Sequence, residues 1–249
     1  MRKNQMLAKL RAGQPVAGCW MNCGSPVVAE IAAHAGFDWI LLDTQHGYWD
    51  DSALLSAFQA ISSTDTVPIA RVLRNDPGLI GKLLDAGALG IIVPLVNSPQ
   101  EAAQAVAAMR YPPEGQRSLG GSRLSFYGDD YFFTANKEIM VSMMIETREA
   151  AEHAAEILSV PGIDMGFIGP ADLALSLGTF GRASAEHEAL IEKVLAAGKA
   201  CHVPMGIYCG SVEDAMRRAQ QGFQFMPCVT DTSFISGGLC TILKQWHGR

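Results

Sequence analysis

Short apolar runs recur along the chain, each followed by a polar cap and an amphipathic stretch, and this alternation restricts the fold more than any other feature. Val16 to Met21 precedes Ser25 and Pro26, an N-cap with proline at the first helical position, which opens a helix to about Ala35. FDWILLDTQH (Phe37 to His46), VPIARVL ending around Arg71, and GIIVPLV (Gly90 to Val96) follow in turn. These runs are too short for free-standing helices and too continuously apolar for a sheet wet on one face, so they read as strands buried on both sides. The helices between them are expected near Ser52 to Ile61, from Asp76 and Pro77 to Gly87, and from Ser98 and Pro99 to about Met109.

Between Tyr111 and Lys137 the pattern gives way to a Gly- and aromatic-rich stretch, with a short helix expected near Asp129 to Asn136. Connections of that length are usually functional or interfacial. The alternation resumes with VSMMIETR (Val141 to Arg148), IDMGFIG (Ile163 to Gly169), VPMGIYC and FQFMPCV. Helices are expected over Arg148 to Leu158, about Ala185 to Gly198, Ser211 to Gln221, and from near Thr232. Eight strands alternating with eight helices in 249 residues is the arithmetic of a single α/β domain over 1–249, a (β/α)8 TIM barrel. A doubly wound sheet is the alternative, but Cys23-Gly24-Ser25 after the first strand does not match its glycine-rich dinucleotide turn.

Composition excludes several classes. A net charge of -6 with pI near 5.5 leaves no basic stripe for nucleic acid. No apolar run reaches membrane-spanning length, and MRKNQMLAKLRAGQPVAG is a poor signal peptide, so no membrane partner and a cytoplasmic setting are expected. The six cysteines form no CxxC pair and no zinc-like spacing, which suits buried free thiols in a reducing compartment.

In a barrel the chemistry gathers where strands end on the C-terminal face. That places Asp43 and His46 after strand two, Arg71 late in strand three, Glu146 after strand five and Asp172 after strand six around one mouth. An acid ending an apolar strand is costly to desolvate without a metal or a basic partner. Glu146 and Asp172, on adjacent strands, could share a Mg²⁺ or Mn²⁺ ion. Glu146 could instead pair with Arg148 or cap the next helix, and Asp172 could cap the helix after Pro170. His46 beside Asp43 could be a base whose tautomer the carboxylate fixes, or an imidazole bonded to backbone. A guanidinium ending an apolar strand suits a bidentate carboxylate. No lysine ends a strand, so carbanion chemistry here calls for a metal rather than an imine. Gly210-Ser211, Asp231-Thr232-Ser233 and Gly120 to Arg123 are weak candidates for a phosphate site, and an unphosphorylated substrate is favoured.

At LLDTQHG, IARVLRNDPGLIGKLLDAGA, VPLVNSPQEA, RYPPEGQRS, MIETREA and FIGPADLAL the chain resembles the HpcH/HpaI aldolase family, the metal-dependent class II pyruvate aldolases. The resemblance implies a barrel of the phosphoenolpyruvate/pyruvate-binding type and cleavage of 4-hydroxy-2-oxo acids to pyruvate and an aldehyde. It further implies a divalent cofactor: Mg²⁺, Mn²⁺ or Co²⁺, with Zn²⁺ a further candidate. By the same resemblance Glu146 and Asp172 are the metal ligands, Arg71 stabilises the enolate oxygen and His46 is the base. Gly169 and Ala171 of the GPAD turn lie against pyruvate. Asp85 in KLLDAGA is the acid that raises the basicity of the histidine. The barrel reading puts Asp85 at the opposite end from His46 of its own subunit, so the resemblance implies a homo-oligomer, typically a hexamer built from dimers, with the site near a subunit interface.

Two positions depart from the family pattern. Met144 stands where a Gln precedes the metal Glu, and a thioether is a feeble acceptor and no donor. Gln45 replaces a Glu before the histidine. Trp20, with the aromatics around Phe126 and Tyr131, is a candidate for the aldehyde pocket, an interface or core packing. The competing functions are a related lyase acting on a CoA thioester or by decarboxylation, and a catalytically silent oxo-acid-binding barrel.

Overall fold

The computed structural model describes residues 1–248. Its strands are β1 (Val16–Met21), β2 (Trp39–Asp43), β3 (Val67–Arg71), β4 (Gly90–Val93), β5 (Met140–Ile145), β6 (Met165–Ile168), β7 (Met205–Ile207) and β8 (Phe225–Thr230). They close in sequence order into a parallel barrel, β8 pairing back onto β1. This is the (β/α)8 architecture expected from the alternation.

Helix α1 (Gln5–Arg11) lies across the N-terminal end of the barrel and buries Met6, Leu7 and Leu10. Asn4 Nδ2 donates to the carbonyl of Leu89 just before β4, and Gln224 Nε2, just before β8, donates to that of Leu10. Around the outside run α2 (Pro26–His34), α3 (Asp51–Ser62), α4 (Pro77–Ala86) and α5 (Pro99–Met109). The expected caps are made: Ser25, Asp76 and Ser98 accept from the backbone N–H groups of Val28, Leu79 and Glu101. Gly87 ends α4 at φ 117, a conformation that favours glycine.

Aromatic rings fill the barrel interior. Trp39 stacks on Phe225 at 4.0 Å, and Phe167 meets Phe225 edge-on at 5.8 Å. Gly18 makes room for this packing, because a Cβ there would stand 2.0 Å from the Trp39 ring.

The long connection after α5 holds a 3-10 turn over Ser122–Tyr127, which the sequence reading missed, and the expected short helix, α6 (Tyr131–Glu138). Beyond β5 the single expected helix is broken at His153 into α7 (Arg148–Glu152) and α8 (Ala154–Leu158). A short α9 (Pro170–Ser176) follows β6 directly, before α10 (Ala185–Ala200) and α11 (Val212–Gln221).

The last helix, α12 (Asp231–Trp246), behaves unlike the others. Of its 16 residues only Asp231 is buried, and Phe234, Leu239 and Trp246 are 73%, 64% and 84% exposed. It stands away from the barrel instead of covering it. All six cysteines are free; Cys19 and Cys209 are buried, Cys240 is exposed and the rest are half-buried, so burial is less complete than expected. Among the described residues no helix is long and apolar enough to cross a membrane.

Candidate active site

A cavity of about 450 Å³ opens at the C-terminal mouth of the barrel, where Trp20, Asp43, His46, Arg71, Met144 and Asp172 meet. Residues at or just past the C-terminal ends of strands one, two, three, five and six therefore converge, as the strand-end rule requires.

Arg71 ends β3 directly opposite Asp43, the last residue of β2. The two form a bidentate pair, Nε donating to Oδ1 at 2.9 Å and Nη2 to Oδ2, with Asp43 1% and the Arg71 side chain 8% exposed. Trp20 Nε1 donates to Asp43 Oδ2 at 3.1 Å, and the backbone N–H groups of Gln45 and His46 donate to Oδ1 at 3.0 and 3.3 Å. Burial alone pushes the Asp43 pKa up; Arg71, Trp20 and the Gln45 amide outweigh it and hold the carboxyl below its usual range. The Trp20 ring lies 5.0 Å from the guanidinium carbon. Arg71 is thus locked in place with Nη1 left over, its one contact a long one of 4.0 Å to Met144 Sδ.

This geometry corrects one expectation. The Asp43 carboxylate is taken up by a guanidinium and two backbone amides, so it shapes the turn that carries His46 and does not orient the imidazole ring. Because β2 ends at Asp43, His46 sits in that turn, exposed at the pocket wall.

Glu146 follows β5 and is 2% exposed, yet Arg148 pairs with Glu186 and Thr147 caps α7, so neither structural alternative for Glu146 holds. Oε1 accepts a hydrogen bond of 2.7 Å from the backbone N–H of Leu95. Leu95 takes φ 55, a left-handed conformation that a branched side chain rarely adopts, and this turns its N–H toward the acid. Oε2 points at the backbone of Gly169, where a Cβ would stand 2.7 Å away. No Lys or Arg is paired with Glu146 among the described residues. Desolvation, with a smaller push from the Asp172 charge, raises its pKa to about 7 against the opposing effects of Leu95 and Arg71.

Asp172 lies in the first turn of α9 and lines the pocket, and Gly169, not an acid, holds the N-cap position without a side-chain bond. The donor set is therefore two carboxylates, one of them buried, under-satisfied and close to another negative charge. A divalent cation fits those residues. Among the described residues no group of three or more His, Cys, Asp or Glu side chains is placed to hold a metal, so substrate and water oxygens would complete such a site.

Gly169 and Ala171 line the pocket as expected, as do Trp20 and Met144. Asp85 does not. It lines a separate cavity between α4 and α5, where Arg117 Nη2 donates to it at 2.9 Å. Phe126 is 84% exposed and Tyr131 is buried, and neither lines the pocket. The weak phosphate candidates are committed elsewhere: Ser211 caps α11, Asp231 accepts from Asn22 and Cys23, and Arg123 donates to Ala86, Phe58 and Ser62. Thr232, expected only as part of a weak phosphate candidate, lines the pocket, and lining residues given no role from sequence are Asn22, Tyr48, Phe167, Pro170 and Tyr208. Asn22 and Tyr208 sit just past strands one and seven, so the strand-end rule applied to neutral side chains would have found them.

Residues 16–236 match the family described as HpcH/HpaI aldolase/citrate lyase. The chain is 39% identical over 241 residues to the hydroxypyruvate/pyruvate aldolase of Delftia acidovorans, covering 93% of this chain and 88% of that one. It is 37% identical over 232 residues to the 5-keto-4-deoxy-D-glucarate aldolase of Salmonella paratyphi A, covering 92% and 91%. A crystal structure of an HpcH/HpaI aldolase/citrate lyase family protein from Burkholderia cenocepacia superposes with a TM-score of 0.93 at 33% identity, over 98% of this chain and 100% of that one. Fold and sequence similarity both extend across nearly the whole barrel, and the chain belongs to the HpcH/HpaI aldolase/citrate lyase family.

Proposed function

We propose that the chain is a divalent-metal-dependent aldolase that cleaves 4-hydroxy-2-oxo acids to pyruvate and an aldehyde, and reverses that reaction. The observation that carries this reading is the buried Glu146 carboxylate, which feels the charge of Asp172 and lies just behind Gly169 in the wall of the pocket that Asp172 and the clasped Arg71 line. The two aldolase relatives support the reaction class.

Glu146 and Asp172 would hold the ion; their hard oxygen donors suit Mg²⁺, Mn²⁺ or Co²⁺ better than Zn²⁺, which favours nitrogen and sulfur. When bound, it supplies positive charge to the carboxylate and keto oxygen of the substrate. His46 takes the proton from the C4 hydroxyl, the C3–C4 bond breaks, and its electron pair moves onto the oxo-acid half as an enolate. Arg71, held rigid by Asp43, offers Nη1 to the developing enolate oxygen without having to reorganise. The imidazolium then returns the proton to C3, giving pyruvate. Gly169 keeps the wall beside Glu146 thin, so the acid can reach the pocket from behind it.

A homo-oligomer belongs to the same proposal. Asp85 lies outside the pocket of its own chain, and α12 exposes an apolar set, Phe234, Leu239, Ile242 and Trp246, that a second copy would cover. Association of dimers into a hexamer would bring Asp85 of a neighbouring copy toward His46. Sedimentation velocity tests this, and a monomer at micromolar concentration contradicts it.

The half-reaction is tested by NMR exchange of the pyruvate methyl protons into D₂O. Exchange is expected only with Mg²⁺, Mn²⁺ or Co²⁺ present, and equal exchange in EDTA would refute the metal site.

A further inference from the structure

The wall of the pocket formed by the turn after β1 carries a side-chain amide that the fold holds in place but does not use. Asn22 is fixed through its backbone: its N–H donates to Asp231 Oδ1 at 2.9 Å, and its carbonyl accepts from Tyr48 N–H at 2.8 Å. The next residue is tied to the same acid, Cys23 N–H donating to Asp231 Oδ2 at 2.9 Å. Asp231 is 4% exposed and begins α12 directly after β8, the neighbour of β1, so the turn is pinned to the adjoining strand end at the barrel mouth.

The side chain of Asn22 lines the pocket, and its Oδ1 is buried with no hydrogen-bond partner among the described residues. Buried amide groups are almost always paired, because leaving one unpaired forfeits its hydration. A rigid backbone that presents an idle amide at a pocket wall is an arrangement suited to a ligand group that both donates and accepts, which is what a hydroxyl does.

Charge narrows the ligand further. Among the described residues that line the pocket, Arg71 is the one guanidinium or ammonium, and it is clasped to Asp43. A carboxylate on the aldehyde half would meet Asp43 and Asp172 with no cation to spare.

We infer that Asn22 is a specificity-determining residue that hydrogen-bonds a hydroxyl of the aldehyde half, so that the aldehyde taken by this chain is an uncharged hydroxyaldehyde. The inference rests on the proposed aldolase reaction and names the substrate class of that same pocket. A site built to bond a hydroxyl discriminates against the analogue that lacks it, because the pocket's own polar group is then left unpaired.

The test is aldol addition of pyruvate, with Mg²⁺ or Mn²⁺, to glycolaldehyde and to propanal, which have nearly the same shape and differ by a hydroxyl in place of a methyl group. For the wild-type chain kcat/KM is expected to favour glycolaldehyde by about tenfold, the upper end of what one neutral hydrogen bond supplies. In Asn22→Leu the ratio is expected to fall to about one. In Asn22→Ser, which keeps a shorter hydroxyl, it is expected to fall between the two. Each ratio is taken within one protein, so a general loss of activity cancels, and the serine variant serves if the leucine variant does not fold. A wild-type ratio near or below one, or a ratio unchanged by either substitution, overturns the assignment. Succinic semialdehyde accepted as well as glycolaldehyde would overturn the uncharged class. Pyruvate proton exchange reports the aldolase reading by itself: exchange without hydroxyl preference sinks the Asn22 inference alone, and absence of exchange sinks both.

Discussion

Replacing Glu146 by Gln should stabilise the metal-free chain at alkaline pH while destroying its response to divalent ions. The folded Glu146 carboxyl has its pKa raised to about 7 from an ordinary 4.5, chiefly because burial removes water from the charge. Between those values the unfolded chain has lost the proton and the folded chain keeps it, so raising the pH favours unfolding. The contribution of Glu146 to stability is therefore fully present below pH 4.5 and is lost as the pH climbs through about 7. The gap between 7 and 4.5, at about 1.4 kcal/mol per pH unit, corresponds to about 3 kcal/mol, of which about 2–3 kcal/mol falls between about pH 5 and pH 8. Urea unfolding of wild type and Glu146→Gln in EDTA across that interval measures it. The wild type should lose this stability relative to the variant, and Mg²⁺ or Mn²⁺ should restore it to the wild type alone, more strongly as the pH rises and the carboxylate forms. Parallel pH profiles for the two proteins would show that Glu146 is not a desolvated acid.

Other substitutions test separate parts of the site. Arg71→Ala leaves Asp43 buried and without its cation, so unfolding by urea should show a loss of about 3–5 kcal/mol, and the pocket should also lose its activity. Gly169→Ala puts a methyl 2.7 Å from Glu146 Oε2; calorimetric titration should find divalent-ion affinity lowered about 10- to 100-fold in a chain that still folds. Met144→Gln puts an amide that can donate to the substrate at the pocket wall in place of a thioether that donates nothing, and steady-state kinetics should show the pyruvate KM falling by about fivefold. His46→Ala should lower kcat for cleavage by about 10²–10⁴ with little change in pyruvate binding by calorimetry, and loss of binding alone would contradict a role as base.

The barrel was legible because its signals are local. Ser25-Pro26, Asp76-Pro77 and Ser98-Pro99 each carry a cap and a helix-compatible proline side by side, and the structure makes each bond. The 3-10 turn at Ser122–Tyr127 and the break at His153 left no such mark, because tertiary hydrogen bonds from Arg123 to Ala86 and Phe58 decide the first of them. The strand-end rule brought Asp172, Arg71 and His46 to one mouth, with Glu146 behind Gly169 in its wall. It could not assign partners: the bond from Asp43 to Arg71 crosses between strands, and the pairing of Asp85 with Arg117 crosses between connections distant in sequence. Nor does any local pattern announce that α12 stands away from its own barrel, since the apolar residues of an exposed helix read the same in sequence as those of a covered one.

Pyruvate release from a panel of 4-hydroxy-2-oxo acids, run first in EDTA and then with Mg²⁺, Mn²⁺, Co²⁺ or Zn²⁺ restored, addresses the central claim most directly. Release that is absent in chelator, returns with the added ion, and is lost in both Glu146→Gln and Asp172→Asn is the predicted result; full release in EDTA, or an ion response that survives both substitutions, would contradict it.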